Sequence, residues 1–125
     1  TGARAALVAV VEDADELPGV PPGTVVGFAA LSPYRERPAY ATTVEDSVYV
    51  DERAQGQGVG RMLLEALLDT ARAHGFHTVI ARIVSDHEAS IALHRACGFE
   101  VVGLERQVGR KFGRWLDVTV MQRML

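Results

Sequence analysis

Residues 54 to 76 read AQGQGVGRMLLEALLDTARAHGF: three glycines in five positions, followed at once by a leucine-rich segment. No other stretch limits the fold so tightly. Met62, Leu63, Ala66, Leu67 and Ala71 recur at three- and four-residue spacing, which predicts a helix from Gly58 to His74 with Gly75 as its stop. Glycine permits backbone angles that other residues avoid and lets another molecule approach the main chain closely. A helix start adds unpaired N–H groups and the positive end of the helix dipole. A bare loop at such a start suits an anion, most often a phosphate.

The elements around this helix follow from periodicity. Residues 5–12 (AALVAVVE) and 24–31 (TVVGFAAL) predict two strands, joined through the proline-rich acidic loop DADELPGVPPG as a long-looped hairpin. SPYRERPAY holds two prolines and is excluded from a central strand, whereas residues 42–50 alternate and predict a third strand. HTVIARIV at 77–84 is β-branched and mostly apolar, the pattern of a strand buried on both faces. SDHEASIALHRACGF predicts a second helix over about 86–97, opened by a capping box of Ser85 and Glu88 and closed at Gly98. EVVGLERQVG and RWLDVTVMQRML predict a last pair of strands around the turn RKFG. The order is three strands, helix, strand, helix and two strands, without repeats, so the fold class is α/β.

At 125 residues, 48% hydrophobic and 23% charged, the sequence has the make-up of one globular domain, residues 1–125. No apolar run approaches the length of a membrane span, and TGARAALVAVVED reads as a strand better than as a signal peptide. A net charge of -3 supplies no field for nucleic acid, although Arg106 to Arg114 form a local basic patch. One cysteine, Cys97, allows no internal disulfide and fits a reducing compartment, the cytoplasm. It reads as a small buried helix residue. His74 and His77 flank Gly75 and look structural, and no His, Asp or Glu spacing suggests a metal.

Three phosphate loops compete for the glycines. A nucleoside-triphosphate loop needs Gly-Lys-Ser/Thr, which Arg61 and Met62 cannot supply. A dinucleotide loop needs a third glycine where Arg61 stands. The order Gln55-x-x-Gly58-x-Gly60, strengthened by Gly56, resembles the pyrophosphate loop of the GNAT N-acetyltransferase family. Upstream SVYVDERAQGQGVGRMLLEAL and downstream SDHEASIALHRACGFEVVG resemble that family's two cofactor-contacting segments. SPYRERPAY, TVEDSVYV, GFHTVIARI and GRKFGRWLDVTVMQRML resemble its phosphinothricin and methionine sulfoximine acetyltransferase group, from about residue 7 to the end.

That resemblance implies a mixed, mostly antiparallel central sheet flanked by helices. It also implies an N-terminally short domain, since relatives begin with a further strand and one or two helices. Acetyl-CoA would be the co-substrate, with no metal, and the cofactor-binding residues would be Val48, Tyr49, Val50, Gln55, Gly56, Gln57, Gly58, Val59, Gly60, Arg61, His87 and Ser90. The main chain of Val48 and Val50 would hold the pantetheine arm in a gap between two splayed strands, with Tyr49 as core or cleft wall. His87 stands where the group usually has Asn. Acetyl transfer to an amine needs that amine neutral and the leaving thiolate protonated. The resembled group has its proposed base at Glu45; strand alternation lets only one of Glu45 and Asp46 face the cleft, and Glu45 is preferred. His94 occupies the place of the family's thiolate acid and could serve as acid or as partner to the acceptor. Arg35 and Arg37 would clamp the second anionic group of a small glutamate-like amino acid, with solvated loop arginines as the plain alternative. Phe112 and Trp115 would wall the acceptor pocket or a homodimer contact. The rival reading is a non-catalytic acyl-CoA-binding module.

Overall fold

The computed structural model describes residues 5–10 and 17–125. The expected first strand is β1, Ala5–Val10; its last two expected residues and the start of the acidic loop lie outside the described residues. The other strands are β2 (Val25–Pro33), β3 (Thr43–Val50), β4 (Thr78–Val84), β5 (Glu100–Lys111) and β6 (Arg114–Met124). The helices are α1 (Val59–Ala73) and α2 (Glu88–Ala96). The six strands form one sheet in the order β1-β2-β3-β4-β6-β5, with β3 and β4 parallel and every other pair antiparallel. The hairpin of β1 and β2 and the mixed sheet agree with expectation. Among the described residues, no helix is long and apolar enough to cross a membrane.

Helix α1 follows its leucine spacing: Leu63, Leu64, Leu67, Leu68 and Ala71 are buried. They pack with Ala29, Leu31, Val44, Val79 and Met121 of the sheet and with Phe99. Each fully buried leucine contributes about 1.5–3 kcal/mol relative to exposure. Gly75, at φ +80, ends the helix as expected.

Three expectations need correction. The second helix is not opened by Ser85 and Glu88. His87 is its N-cap, accepting the Ser90 N–H at Nδ1 (3.3 Å), while Ser85 Oγ bonds Thr119 Oγ1 (2.8 Å) on β6. The strand β2 runs on through Ser32 and Pro33, paired with Glu45 and Val44, because the prolines of SPYRERPAY begin only at its last residue. The strand β4 is not buried on both faces throughout: Arg82 is exposed between buried Ala81 and Ile83.

The parallel pairing of β3 and β4 covers Thr43/Thr78, Val44/Val79 and Glu45/Ile80 and ends there. Residues 46–50 of β3 continue along β2 alone, so the sheet opens between its two central strands. The carbonyl of Thr42 accepts N–H groups of His77 and Thr78, and Asp51 N–H donates to Val26 on β2. Strand backbone groups alternate in direction. The even-numbered residues Val48 and Val50 therefore present their main-chain N–H and C=O toward the opening.

Candidate functional site

At the end of β3 the chain makes a 3₁₀ turn, Glu52–Ala54, capped by the Asp51 carboxylate, which accepts from Arg53 N (2.9 Å) and Nε (3.0 Å). Those hydrogen bonds hold the Asp51 pKa down at about 2, so the cap stays ionised. Gly56 and Gly58 follow with φ +78 and +80, angles that fold the loop back under the start of α1. Gly58 is the N-cap and makes no side-chain hydrogen bond, and the first turn holds no acidic residue. The first N–H groups of α1 and its positive dipole end are left to an outside anion. Gly60 serves another purpose. A Cβ there would stand 3.1 Å from Leu93 of α2, so its smallness lets the two helices approach.

This loop, the open edge of β3 and the start of α2 enclose one cavity of about 440 Å³. Of the residues expected to hold acetyl-CoA, Val48, Tyr49, Val50, Gln55, Gly56, Gly58, Val59, Gly60, Arg61, His87 and Ser90 line it. Gln57 does not, and its N–H instead closes the turn onto Ala54. Gln55 Nε2 reaches the carbonyl of Val50 (3.4 Å), and Arg61 pairs with Glu65 (2.7 Å). The His87 ring spends Nδ1 on its cap, and the residue lines the cavity. Leu93, Ala54 and Ala89 also line the cavity, and sequence reasoning missed them; apolar residues inside helical periods carry no sign of a cleft.

Glu45 and Asp46 point to opposite faces of the sheet. Asp46 turns toward the helices and is buried against His94, whose Nε2 lies 3.0 and 3.1 Å from its two oxygens. His94 Nδ1 meets the carbonyl of Ser90 at 2.8 Å, and the ring is 2% exposed, edge-on to Phe99. Both partners offer acceptors, an arrangement that favours a hydrogen on each ring nitrogen and so the imidazolium form. Burial opposes that charge, but the Asp46 carboxylate and the Ser90 carbonyl outweigh it and hold the His94 pKa above its ordinary value. Asp46 as this partner was missed, because its only sequence signal was its position beside Glu45.

Glu45 lies on the other face, half-buried, with Oε1 3.4 Å from Arg82 Nη1. Arg82 was another omission, hidden inside the apolar run of β4. Arg35 and Arg37 are both exposed; Arg35 stacks over Tyr34 at 4.4 Å, and Arg37 caps the 3₁₀ turn Pro38–Tyr40. Phe112 and Trp115 stand at the tip of the β5–β6 hairpin, with Arg110 4.5 Å over the Trp115 ring. Phe112 borders a second cavity beside Asp86, His87 and Arg114, whereas Trp115 is absent from both cavity walls. Cys97 is buried, and burial pushes its thiol pKa up, which leaves it a poor nucleophile.

Comparison with known proteins shows the family. Residues 4–99 match the model of the acetyltransferase (GNAT) family. The chain is 50% identical over 100 residues to an L-methionine sulfoximine/L-methionine sulfone acetyltransferase of Pseudomonas aeruginosa, covering 80% of this chain and 58% of the relative. It is 48% identical over 101 residues to a phosphinothricin N-acetyltransferase of Streptomyces coelicolor, covering 81% of this chain and 59% of that one. A GNAT superfamily phosphinothricin acetyltransferase of Sinorhizobium meliloti, solved in complex with acetyl-CoA, superposes with a TM-score of 0.79 at 50% identity over 82% of this chain and 56% of that chain. The chain thus spans less than two thirds of the length of these relatives. With the family model covering most of its length and half its aligned residues shared with such enzymes, the chain belongs to the acetyltransferase (GNAT) family.

Proposed function

We propose that this protein is an acetyl-CoA-dependent N-acetyltransferase acting on the amino group of a small glutamate-like amino acid, of the phosphinothricin or methionine sulfoximine type. The observation that carries the reading is the single cavity that joins the uncapped start of α1 to the unpaired edge of β3. A pyrophosphate fits the first, and an extended amide-bearing arm fits the second. The residues present suit the co-substrate: Gly56 and Gly58 have open space where a Cβ would stand, and Val48 and Val50 offer main-chain partners. The relatives named for methionine sulfoximine and phosphinothricin acetylation support the acceptor class.

Acetyl-CoA supplies the acetyl group as a thioester. The chain's own residues do the rest. Gln55, Gly58, Val59, Gly60 and Arg61 hold the pyrophosphate, while the Val48 and Val50 main chain aligns the arm; a strand N–H facing the gap polarises the thioester carbonyl. Glu45 takes one proton from the acceptor ammonium, directly or through water, and frees the nitrogen lone pair to attack the thioester carbon; as the C–S bond breaks, the second proton lost by the nitrogen passes through water to the CoA thiolate. Arg35 and Arg37 bind the acceptor's second anionic group. His94 enters as a positioning residue, because its two ring nitrogens are already engaged and it fixes α2, with His87 and Ser90, over the gap.

Residues 1–125 are read as one acetyltransferase domain working in the cytoplasm, for which the lone, buried Cys97 is the support. A homodimer joined at the β5–β6 hairpin is supported by the exposure of Val101, Leu104, Val108 and Trp115 there.

The test is incubation of the full-length protein with acetyl-CoA and a panel of amino acids, following free thiol release. Turnover on glutamate-like acceptors is expected. No turnover on any amine, with calorimetric CoA binding intact, would establish the non-catalytic acyl-CoA-binding module instead. In the active protein, Glu45→Gln should lower kcat by about 10²–10⁴-fold with CoA affinity unchanged.

A further inference from the structure

On the sheet face away from the helices, one guanidinium is shared by two carboxylates. Arg82 Nε donates to Glu105 Oε1 (3.2 Å) and Nη2 to Glu105 Oε2 (3.0 Å), a two-pronged contact that reaches across β6 to β5. The remaining prong, Nη1, extends to Glu45 Oε1 at 3.4 Å. The side chains of Arg82, Glu45 and Glu105 are 30%, 35% and 37% exposed, so the cluster is half-buried. The charged groups around Glu45 are Arg82 on β4 and Glu105 on β5, with the Arg35 charge acting on Glu105 from the segment after β2. Asp46 and His94 lie on the opposite face of the sheet.

We infer that Arg82 and Glu105 are positioning residues for Glu45: Glu105 anchors the guanidinium in a fixed plane, and Arg82 Nη1 aims the Glu45 carboxylate. The inference rests on the reading of Glu45 as the proton acceptor and deepens it. A planar guanidinium makes its strongest contacts two-pronged, so the paired hydrogen bonds to Glu105 determine where Arg82 lies. Glu45 is left with a single long contact. That one longer ion pair steers the carboxylate through Oε1 and leaves Oε2 outside the contact with Arg82. The hydrogen bonds from Arg82 also hold the Glu105 pKa below its ordinary value.

Opposite charge nearby favours a carboxylate's ionised form, and like charge disfavours it. In Glu105→Gln the guanidinium is no longer shared and a neighbouring negative charge is gone. The Glu45 titration midpoint should move down relative to the parent protein. In Arg82→Gln the cation is gone and Glu105 remains, so the midpoint should move up. Arg82→Lys, which keeps the charge without the fork, should restore part of that shift.

The midpoints are read by carbon-13 NMR of the side-chain carboxyls in the full-length protein, with Glu45→Gln to assign the resonance. Acetylation kinetics run alongside. Arg82→Gln is expected to lower kcat while leaving the KM for acetyl-CoA unchanged. Midpoints that stay put in both variants, or move in the same direction, overturn the inference. If Glu45→Gln keeps full turnover, the base assignment fails, and the NMR midpoints still report separately whether the cluster governs Glu45.

Discussion

The neighbours Glu45 and Asp46 have opposite lives because a strand turns successive side chains to opposite faces. One meets the buried His94; the other meets a shared arginine in a half-buried cluster. The His94 pair should appear in stability measurements. The folded pKa of His94 lies above the ordinary value of 6.5, so its stabilisation is fully present below that value and is lost as pH rises through the folded pKa. Denaturant unfolding across this range should give a stability that falls with pH, and His94→Gln should flatten the fall. The same variant leaves Asp46 buried without its cation and should cost about 3–5 kcal/mol. At Gly58, φ is +80 and the space around the missing Cβ is open, so strain alone opposes a side chain. Gly58→Val should cost about 1–2 kcal/mol and weaken CoA binding measured by calorimetry. If affinity survives, the loop does not hold the pyrophosphate.

Among the elements, α1 and the loop before it were legible because their signals are local: a 3.6-residue apolar period and glycines at the positions that need them. The start of α2 differs from expectation for a tertiary reason. Ser85 and His87 both offer a capping acceptor, and only the neighbouring β6, by taking the Ser85 hydroxyl at Thr119, leaves the cap to His87. The β5–β6 hairpin turns on Phe112 and Gly113, both at positive φ (52 and 73), the two-residue turn that favours Asn-Gly. Phe112 is 91% exposed there and bears the strain without burying its ring. Phe112→Asn should therefore raise thermal stability by about 1 kcal/mol, read as a higher Tm.

Over the whole molecule, one feature organises the site: β3 and β4 part after Glu45/Ile80, and the cavity occupies the opening. The long hairpin at the far edge leaves Leu104, Val108 and Trp115 exposed. If two copies meet there, Trp115→Glu should shift the sedimentation coefficient from dimer to monomer with the fold intact. The sequence by itself determined the order of elements, the apolar face of α1 and the chemistry of the Gln55-to-Gly60 loop, since each depends on residues within one or two turns of chain. Only the tertiary structure decided what Glu45, Asp46 and His94 touch. Those partners lie 23, 37 and 48 residues apart along the chain for Arg82–Glu105, Arg82–Glu45 and His94–Asp46. Strand register and helix placement bring such side chains together, and no local periodicity records which donor will meet which carboxylate.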